Sequence, residues 1–170
     1  MAFAVSLAGV AAGCGKSGLD DIDEGQSFEM SSLRMNVLYD RFLNPAQTED
    51  AGYVSGAPAA PEGKEYFGVF LLITNDGDHE VPLPSASDFS IEDTTKAKYV
   101  PADVDNDFTF PYGQTVAEDH QVPDPDSIAA AGPTQGSLVL FLLDQGVTEN
   151  RPLTLHIRYL GEQADIKLDL

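Results

Sequence analysis

The sequence predicts an all-β domain, an antiparallel sandwich of about seven or eight strands. Three observations carry that reading. From residue 27 onward the apolar residues recur with a period of two wherever they recur at all, the spacing of a half-buried strand. No segment sustains the i, i+3, i+4, i+7 stripe of an amphipathic helix. Glycine, proline and Asn/Asp clusters punctuate the apolar runs, as turns require. The 170 residues fit one domain, and 42% hydrophobic residues supply a core.

The strands follow in order. Phe28 and Met30 lead into Leu33, Met35, Val37 and Tyr39, which alternate with Arg34, Asn36 and Leu38. Residues 66 to 73 and 138 to 143 are nearly continuous apolar runs. Their length suits a strand rather than a helix, and their composition suits a central strand covered on both faces or nearly so. Phe89 and Ile91 alternate with Ser90 and Glu92; Leu153, Leu155, Ile157 and Tyr159 alternate with Thr154, His156 and Arg158. After Gly161-Glu162-Gln163 come Ala164, Ile166, Leu168 and Leu170, so the end of the chain reads as a hairpin. Turn signals stand at Asn75-Asp76-Gly77-Asp78, Pro82, Pro84, Gly132-Pro133 and Asn150-Arg151-Pro152, and two long loops remain at residues 44 to 63 and 101 to 130. There is no internal repeat.

Residues 1 to 13 form an uncharged apolar run. It is too short to span a bilayer, which takes ~20 residues, but it suits a signal-peptide core ending in small residues. The string Ala11-Ala12-Gly13-Cys14-Gly15 then resembles a bacterial lipoprotein lipobox, although Ala11 stands where an aliphatic is usual and no Lys or Arg precedes the run. A start codon upstream of Met1 would supply that positive end. The resemblance implies cleavage before Cys14, the single cysteine, and a diacylglyceryl anchor on its thiol. The mature chain would be residues 14 to 170, with 14 to 26 a flexible acidic tether and 27 to 170 the sandwich. Gly15-Lys16-Ser17 also ends a phosphate-loop pattern, but Val10 occupies the position of its first glycine and acids follow. Nucleotide binding is not expected there.

A strand leading into Thr74-Asn75-Asp76-Gly77-Asp78, then Phe89-Ser90-Ile91-Glu92-Asp93, then residues 132 to 141 (GPTQGSLVLF) resembles the bacterial immunoglobulin-like domain of unknown function 4352. The likeness covers roughly residues 28 to 170. It implies an immunoglobulin-like sandwich akin to that of a secreted mycobacterial immunogenic protein, often carried on lipoproteins. It brings no established activity and no catalytic residues.

Charge narrows the partners. Against 28 acidic residues stand 9 basic ones, a formal net charge of −19. Such a surface repels nucleic-acid phosphates and anionic headgroups alike. Nucleic acid is therefore excluded, and contact with a membrane would go through the lipid on Cys14. One cysteine also forbids an internal disulfide.

Candidate chemistry is sparse. Asp103, Asp105 and Asp107 alternate like the first ligands of a calcium loop, but an EF-hand starting there would need glycine and glutamate where Phe108 and Gln114 stand. A looser calcium site on these acids, joined by Asp124 and Asp126, is the reading they leave; no other cofactor is suggested. The histidines, His79, His120 and His156, show no metal-ligand spacing. His156 is expected to be solvated on a polar strand face, and Met30 and Met35 to lie in the core. No G-x-S-x-G elbow is present. Phe108, Phe110 and Tyr112, in a loop rich in Asp and Pro, are either a recognition surface for a partner, together with Tyr53 and Tyr39, or a cap on the open end of the sandwich. The expectation is a non-enzymatic binding or structural module outside the cytoplasm. Its partner would be an envelope protein or an extracellular ligand, and it would be anchored by lipid, or secreted if the lipobox reading fails. The alternative is a weak divalent-cation binder.

Overall fold

The computed structural model describes residues 19–170. The apolar run 1–13, Cys14 and the Gly15-Lys16-Ser17 string lie outside the described residues. In chain order the elements are β1 (Ile22–Asp23), β2 (Ser27–Met30), β3 (Leu33–Leu43), α1 (Thr48–Ala51), β4 (Lys64–Asn75), β5 (Val81–Pro82), β6 (Phe89–Glu92) and β7 (Lys98–Tyr99). They continue with β8 (Thr115–Val116), β9 (Gln121–Val122), α2 (Ile128–Ala131), β10 (Ser137–Asp144), β11 (Leu153–Tyr159) and β12 (Glu162–Leu168). One sheet runs β1-β12-β11-β6-β7 and the other β10-β4-β3-β2, with β9 added alongside β4; β5 and β8 form a separate two-stranded ribbon. All pairings between these strands are antiparallel except that of β1 with β12. The fold is an all-β sandwich, as the period of two predicts.

Alternation places Met30, Leu33, Met35 and Val37 of one sheet against Phe89, Ile91, Leu155, Ile157 and Ile166 of the other, all in one core between the sheets. Burying such side chains contributes about 1.5–3 kcal/mol each. β4 supplies Phe67, Val69, Leu71 and Ile73 to this core from one face. From its other face come Tyr66 and Phe70, which belong to a second cluster with Leu43, Tyr53, Val104, Leu138 and Leu140. This explains the continuous apolar runs of β4 and β10: the two long loops fold back over the outer face of their sheet. Gly68 sits under that cover because a Cβ there would lie 2.9 Å from Leu138 Cδ1 and 3.0 Å from Leu43 Cδ1. Residues 101 to 110 also close the free edge of β10, with Ala102 N–H donating to Leu140 O (2.7 Å) and Phe110 N–H to Leu138 O (2.8 Å).

Two expectations need correction here. Residues 19 to 26 are part of the domain rather than a solvated tether. Ile22 is 1% exposed, β1 pairs with β12 through Ile22 and Asp23, and Gly25 N–H donates to Val37 O at 2.8 Å. One apolar residue among the acids is enough to seat the strand. Tyr39 does not continue the inward row of β3, because the register shifts between Val37 and Tyr39. A bulge of one residue exchanges the two faces of everything after it. Tyr39 is therefore exposed and Asp40 buried.

Asn75 is a buried polar group that is tied down at both ends of its amide. Asn75, with no exposed surface, donates through Nδ2 to His79 O (2.8 Å) and Val116 O (3.1 Å) and accepts Gly77 N–H at Oδ1 (3.0 Å). The turn expected at Asn75-Asp76-Gly77-Asp78 is thus also the fastener between β4 and the β5–β8 ribbon.

Candidate functional site

The loop that follows β3 and packs on the outer face of its sheet leaves a groove of about 670 Å³ between itself and β4. Arg41, Asn44, Gln47, Asp50, Lys64 and Tyr66 are among its lining residues. Arg41 arises from β3 after the bulge, on the outward face. Asp50 comes from α1, the single turn inside the loop, and is 2% exposed. The two meet with Arg41 Nη2 2.6 Å from Asp50 Oδ1, while Asn44 N–H donates to Asp50 Oδ2 at 2.8 Å. Burial works to raise the Asp50 carboxyl, but the guanidinium and the Asn44 N–H more than offset it, and the group is held below the ordinary carboxylate range.

Arg41 is positioned from two further sides. Its Nε donates to Thr134 Oγ1 at 3.3 Å, and its Cζ lies 5.7 Å from the centroid of the Tyr53 ring. The Tyr53 hydroxyl donates to Thr134 O (3.1 Å) and accepts Thr134 N–H (2.8 Å). Tyr53 in turn packs against Phe70 of β4 with ring centroids 5.2 Å apart. Asn106 Nδ2 donates to Tyr53 O and Ser55 O at 3.0 and 2.9 Å, joining the two long loops. At the other end of the groove Tyr66 OH donates to Pro58 O at 2.6 Å. Lys64 Nζ lies 2.7 Å from Asp144 Oδ1 and 5.3 Å from the Tyr99 ring centroid. Burial and then Asp144 push the Tyr99 hydroxyl up to about 12. The Lys64 contact and the Tyr99 hydrogen bond hold the Asp144 carboxyl down.

Chemically, this arrangement presents a fixed guanidinium, an ammonium, two side-chain amides and aromatic surface in one concavity. Those groups suit holding a ligand by hydrogen bonds and apolar contact. No reading of the sequence singled out Arg41 and Asp50. They stand nine residues apart on two different elements, and neither periodicity nor motif spacing connects them. The one signal was charge: basic residues are scarce in this chain, and two of the 9 line one groove.

The residues expected to carry chemistry lie elsewhere. Asp103, Asp105 and Asp107 are all exposed, on the segment that edges β10. Among the described residues no group of three or more His, Cys, Asp or Glu side chains is placed to hold a metal ion. The calcium reading therefore finds no converging ligands at Asp103, Asp105 and Asp107; Val104, between the first two, points into the outer cluster and leaves the carboxylates facing water.

Of the two readings of Phe108, Phe110 and Tyr112, recognition surface or cap, their packing fits the cap. The chain crosses the β10 edge between the two phenylalanines. Phe108 packs at 4.4 Å from the buried Tyr53 ring in the outer cluster. Phe110 is 1% exposed in the core between the sheets, 5.4 Å from Phe89 and 5.2 Å from Tyr112. Tyr112 is itself half-buried, and burial raises its hydroxyl. These rings close the end of the sandwich. His156 is paired across the hairpin, Nδ1 to Asp165 Oδ1 at 2.7 Å, with 16% of its side chain exposed, so it is not simply solvated.

Comparison with known proteins agrees on the fold. No family model matches the chain, and no curated protein matches it. Among solved structures, an uncharacterized β-sandwich protein from Clostridium difficile 630 superposes with a TM-score of 0.52 at 16% identity, covering 91% of this chain and 99% of that one. The yjhA protein from Bacillus subtilis gives 0.51 at 11% identity, over 87% of this chain and 99% of that one. A candidate lipoprotein, ycdA, from Bacillus subtilis strain 168 gives 0.54 at 12% identity, over 86% of this chain and 38% of its own. At such identities the likeness shows the β-sandwich and nothing finer.

Proposed function

We propose that the protein is a non-enzymatic module of the cell envelope, displayed outside the cytoplasm on a lipid anchor at Cys14, and that the groove beside Arg41 and Asp50 is where it holds its ligand or partner. The observation that carries the binding reading is the groove itself, whose charged floor is fixed by Asp50, Thr134 and Tyr53 before any ligand arrives. Preorganised donors lower the cost of association. The Ala11-Ala12-Gly13-Cys14 string supports the anchor, and the fold shared with a candidate lipoprotein is consistent with it. In this reading the likeness to the immunoglobulin-like domain of unknown function 4352 describes the same kind of envelope module. Neither nucleic acid nor nucleotide is a partner, since the surface carries −19.

Two measurements test it. Cys14→Ser should release the protein from the membrane fraction or leave its leader uncleaved; a variant that is both cleaved and fractionated with membranes like the wild type removes the anchor. A cross-linked pull-down from intact cells should compare the wild type with Gln47→Trp, which fills the groove and leaves the ion pair in place. Loss of a captured species in the variant is expected, and an identical set from both proteins removes the groove.

A further inference from the structure

Asp40 stands where strand alternation demands an apolar side chain. The bulge at Leu38 turns Asp40 to the core side of β3, opposite Val69 of β4, and it is 5% exposed. Its Oδ2 accepts the Asp169 N–H at 3.2 Å; its Oδ1 is buried and has no hydrogen-bond partner. Glu24, in the turn between β1 and β2, reaches the same place. Glu24 Oε1 accepts the Asp40 N–H at 3.0 Å and Oε2 accepts the Asp169 N–H at 3.2 Å. One N–H thus serves both carboxyl groups. Two ionised carboxylates so placed repel, and a single shared amide does not neutralise them.

The surroundings do not supply the missing positive charge. Asp169, after β12, adds a third acid. The adjoining hollow brings Asp23 from β1 and Lys167 from β12, and Lys167 Nζ lies 3.2 Å from Asp21. Arg41, the next residue of β3, points to the opposite face and Asp50. β4 offers Val69, which is apolar.

We propose that Glu24 and Asp40 share one proton and form a pH-sensitive clasp, which fastens β1 and the segment after β12 to β3 while the proton is held and releases them as pH rises. Burial, and then the contact with Glu24, raise the Asp40 carboxyl to about 8, the direction the clasp requires. Among the described residues no strand pairs with this edge of β3 beyond Asn36; Gly25 N–H bonds Val37 O there, and Glu24 takes the Asp40 N–H. If Cys14 carries the anchor, Glu24 lies ten residues beyond it, and opening the clasp lengthens the link between domain and membrane. That consequence is separable from the clasp.

Hydrogen exchange of the full chain, read by mass spectrometry between about pH 5.5 and 8.5 and corrected for intrinsic rates, tests the proposal. In the wild type, opening of residues 19 to 26 and 165 to 170 should grow about tenfold per pH unit, the slope of one released proton. Asp40→Asn and Glu24→Gln should each flatten that slope. A flat wild-type profile, variants as steep as the wild type, or protection that follows millimolar calcium instead of pH would overturn it. Should both variants fail to fold, carboxyl-carbon NMR of the wild type decides. An Asp or Glu carboxyl titrating above about pH 6 supports the clasp, and all of them titrating below about pH 5 overturns it.

Discussion

Arg41 Nη2 and Asp50 Oδ1 lie 2.6 Å apart in the groove between the loop after β3 and β4, with the Asp50 side chain 3% exposed and that of Arg41 25%. The asymmetry decides what removing either partner does. Arg41→Ala strands a buried carboxylate, a change that costs ~3–5 kcal/mol when both partners are fully buried. Since Arg41 keeps contact with water, about 2–3 kcal/mol is expected here. Arg41→Lys should recover only part of this, because an ammonium cannot reach Asp50 and Thr134 from one planar group while stacking on Tyr53. Urea unfolding of the three proteins checks the order, and a loss below ~0.5 kcal/mol for Arg41→Ala would mean that the pair behaves as a solvated one.

Phe108 and Phe110 separate a packing role from a recognition role. Truncating Phe110, 1% exposed between Phe89 and Tyr112, should cost ~3–5 kcal/mol through the cavity it leaves. Phe108 is only half-buried against Tyr53, so Phe108→Ala should cost roughly 1–2 kcal/mol. Thermal unfolding of both alanine variants gives the answer. Two small and equal losses would return these rings to the surface role that their loop composition suggested.

Much of the sandwich was legible because a strand with one wet face writes its period into the sequence. Among the described residues the seven strands of four or more residues coincide with the alternating or continuous apolar runs. What escaped was whatever depended on a single extra residue or on contacts distant in the chain. The Leu38 bulge leaves no compositional mark, yet it exposes Tyr39 and buries Asp40. The residues around Ile22 looked like a tether because acids outnumber the one apolar side chain that docks. Val104 and Tyr53 lie in loops rich in Asp, Pro and Gly, so nothing local announces that they cover the outer face of β4. The groove inherits that difficulty, since it exists only because those loops fold back.

The hairpin between β11 and β12 turns through Leu160 and Gly161, with φ of 48° and 89°. Positive φ at both central residues is the geometry of a type I′ turn, for which Asn-Gly is the preferred pair. Leu160 is strained there and 69% exposed, so it contributes little packing to offset the strain. Leu160→Asn should therefore stabilise the protein by about 0.5–1 kcal/mol. On a domain of this size that is a rise of about 1–4 °C in Tm by calorimetry. A lower Tm would show that the leucine is held by contacts with more value than its exposure suggests.

Asp40 makes stability depend on pH in an unusual direction for a carboxylate. Burial and Glu24 hold its proton in the folded state up to about 8, whereas the unfolded chain releases it near ~4. Because the folded-state value is raised, the contribution is present in full below the unfolded value and is lost as pH climbs through the folded one. Between those limits the folded state binds one more proton, and stability falls by up to ~1.4 kcal/mol per pH unit. The net charge of −19 adds self-repulsion with the same sign, so the comparison has to be with Asp40→Asn, which keeps the shape and cannot ionise. Urea midpoints measured between about pH 5 and 8 at one ionic strength should fall more steeply for the wild type than for the variant. The variant should also be the more stable protein at the alkaline end. Parallel profiles would place the pH dependence in the overall charge alone and leave Asp40 an ordinary buried carboxylate.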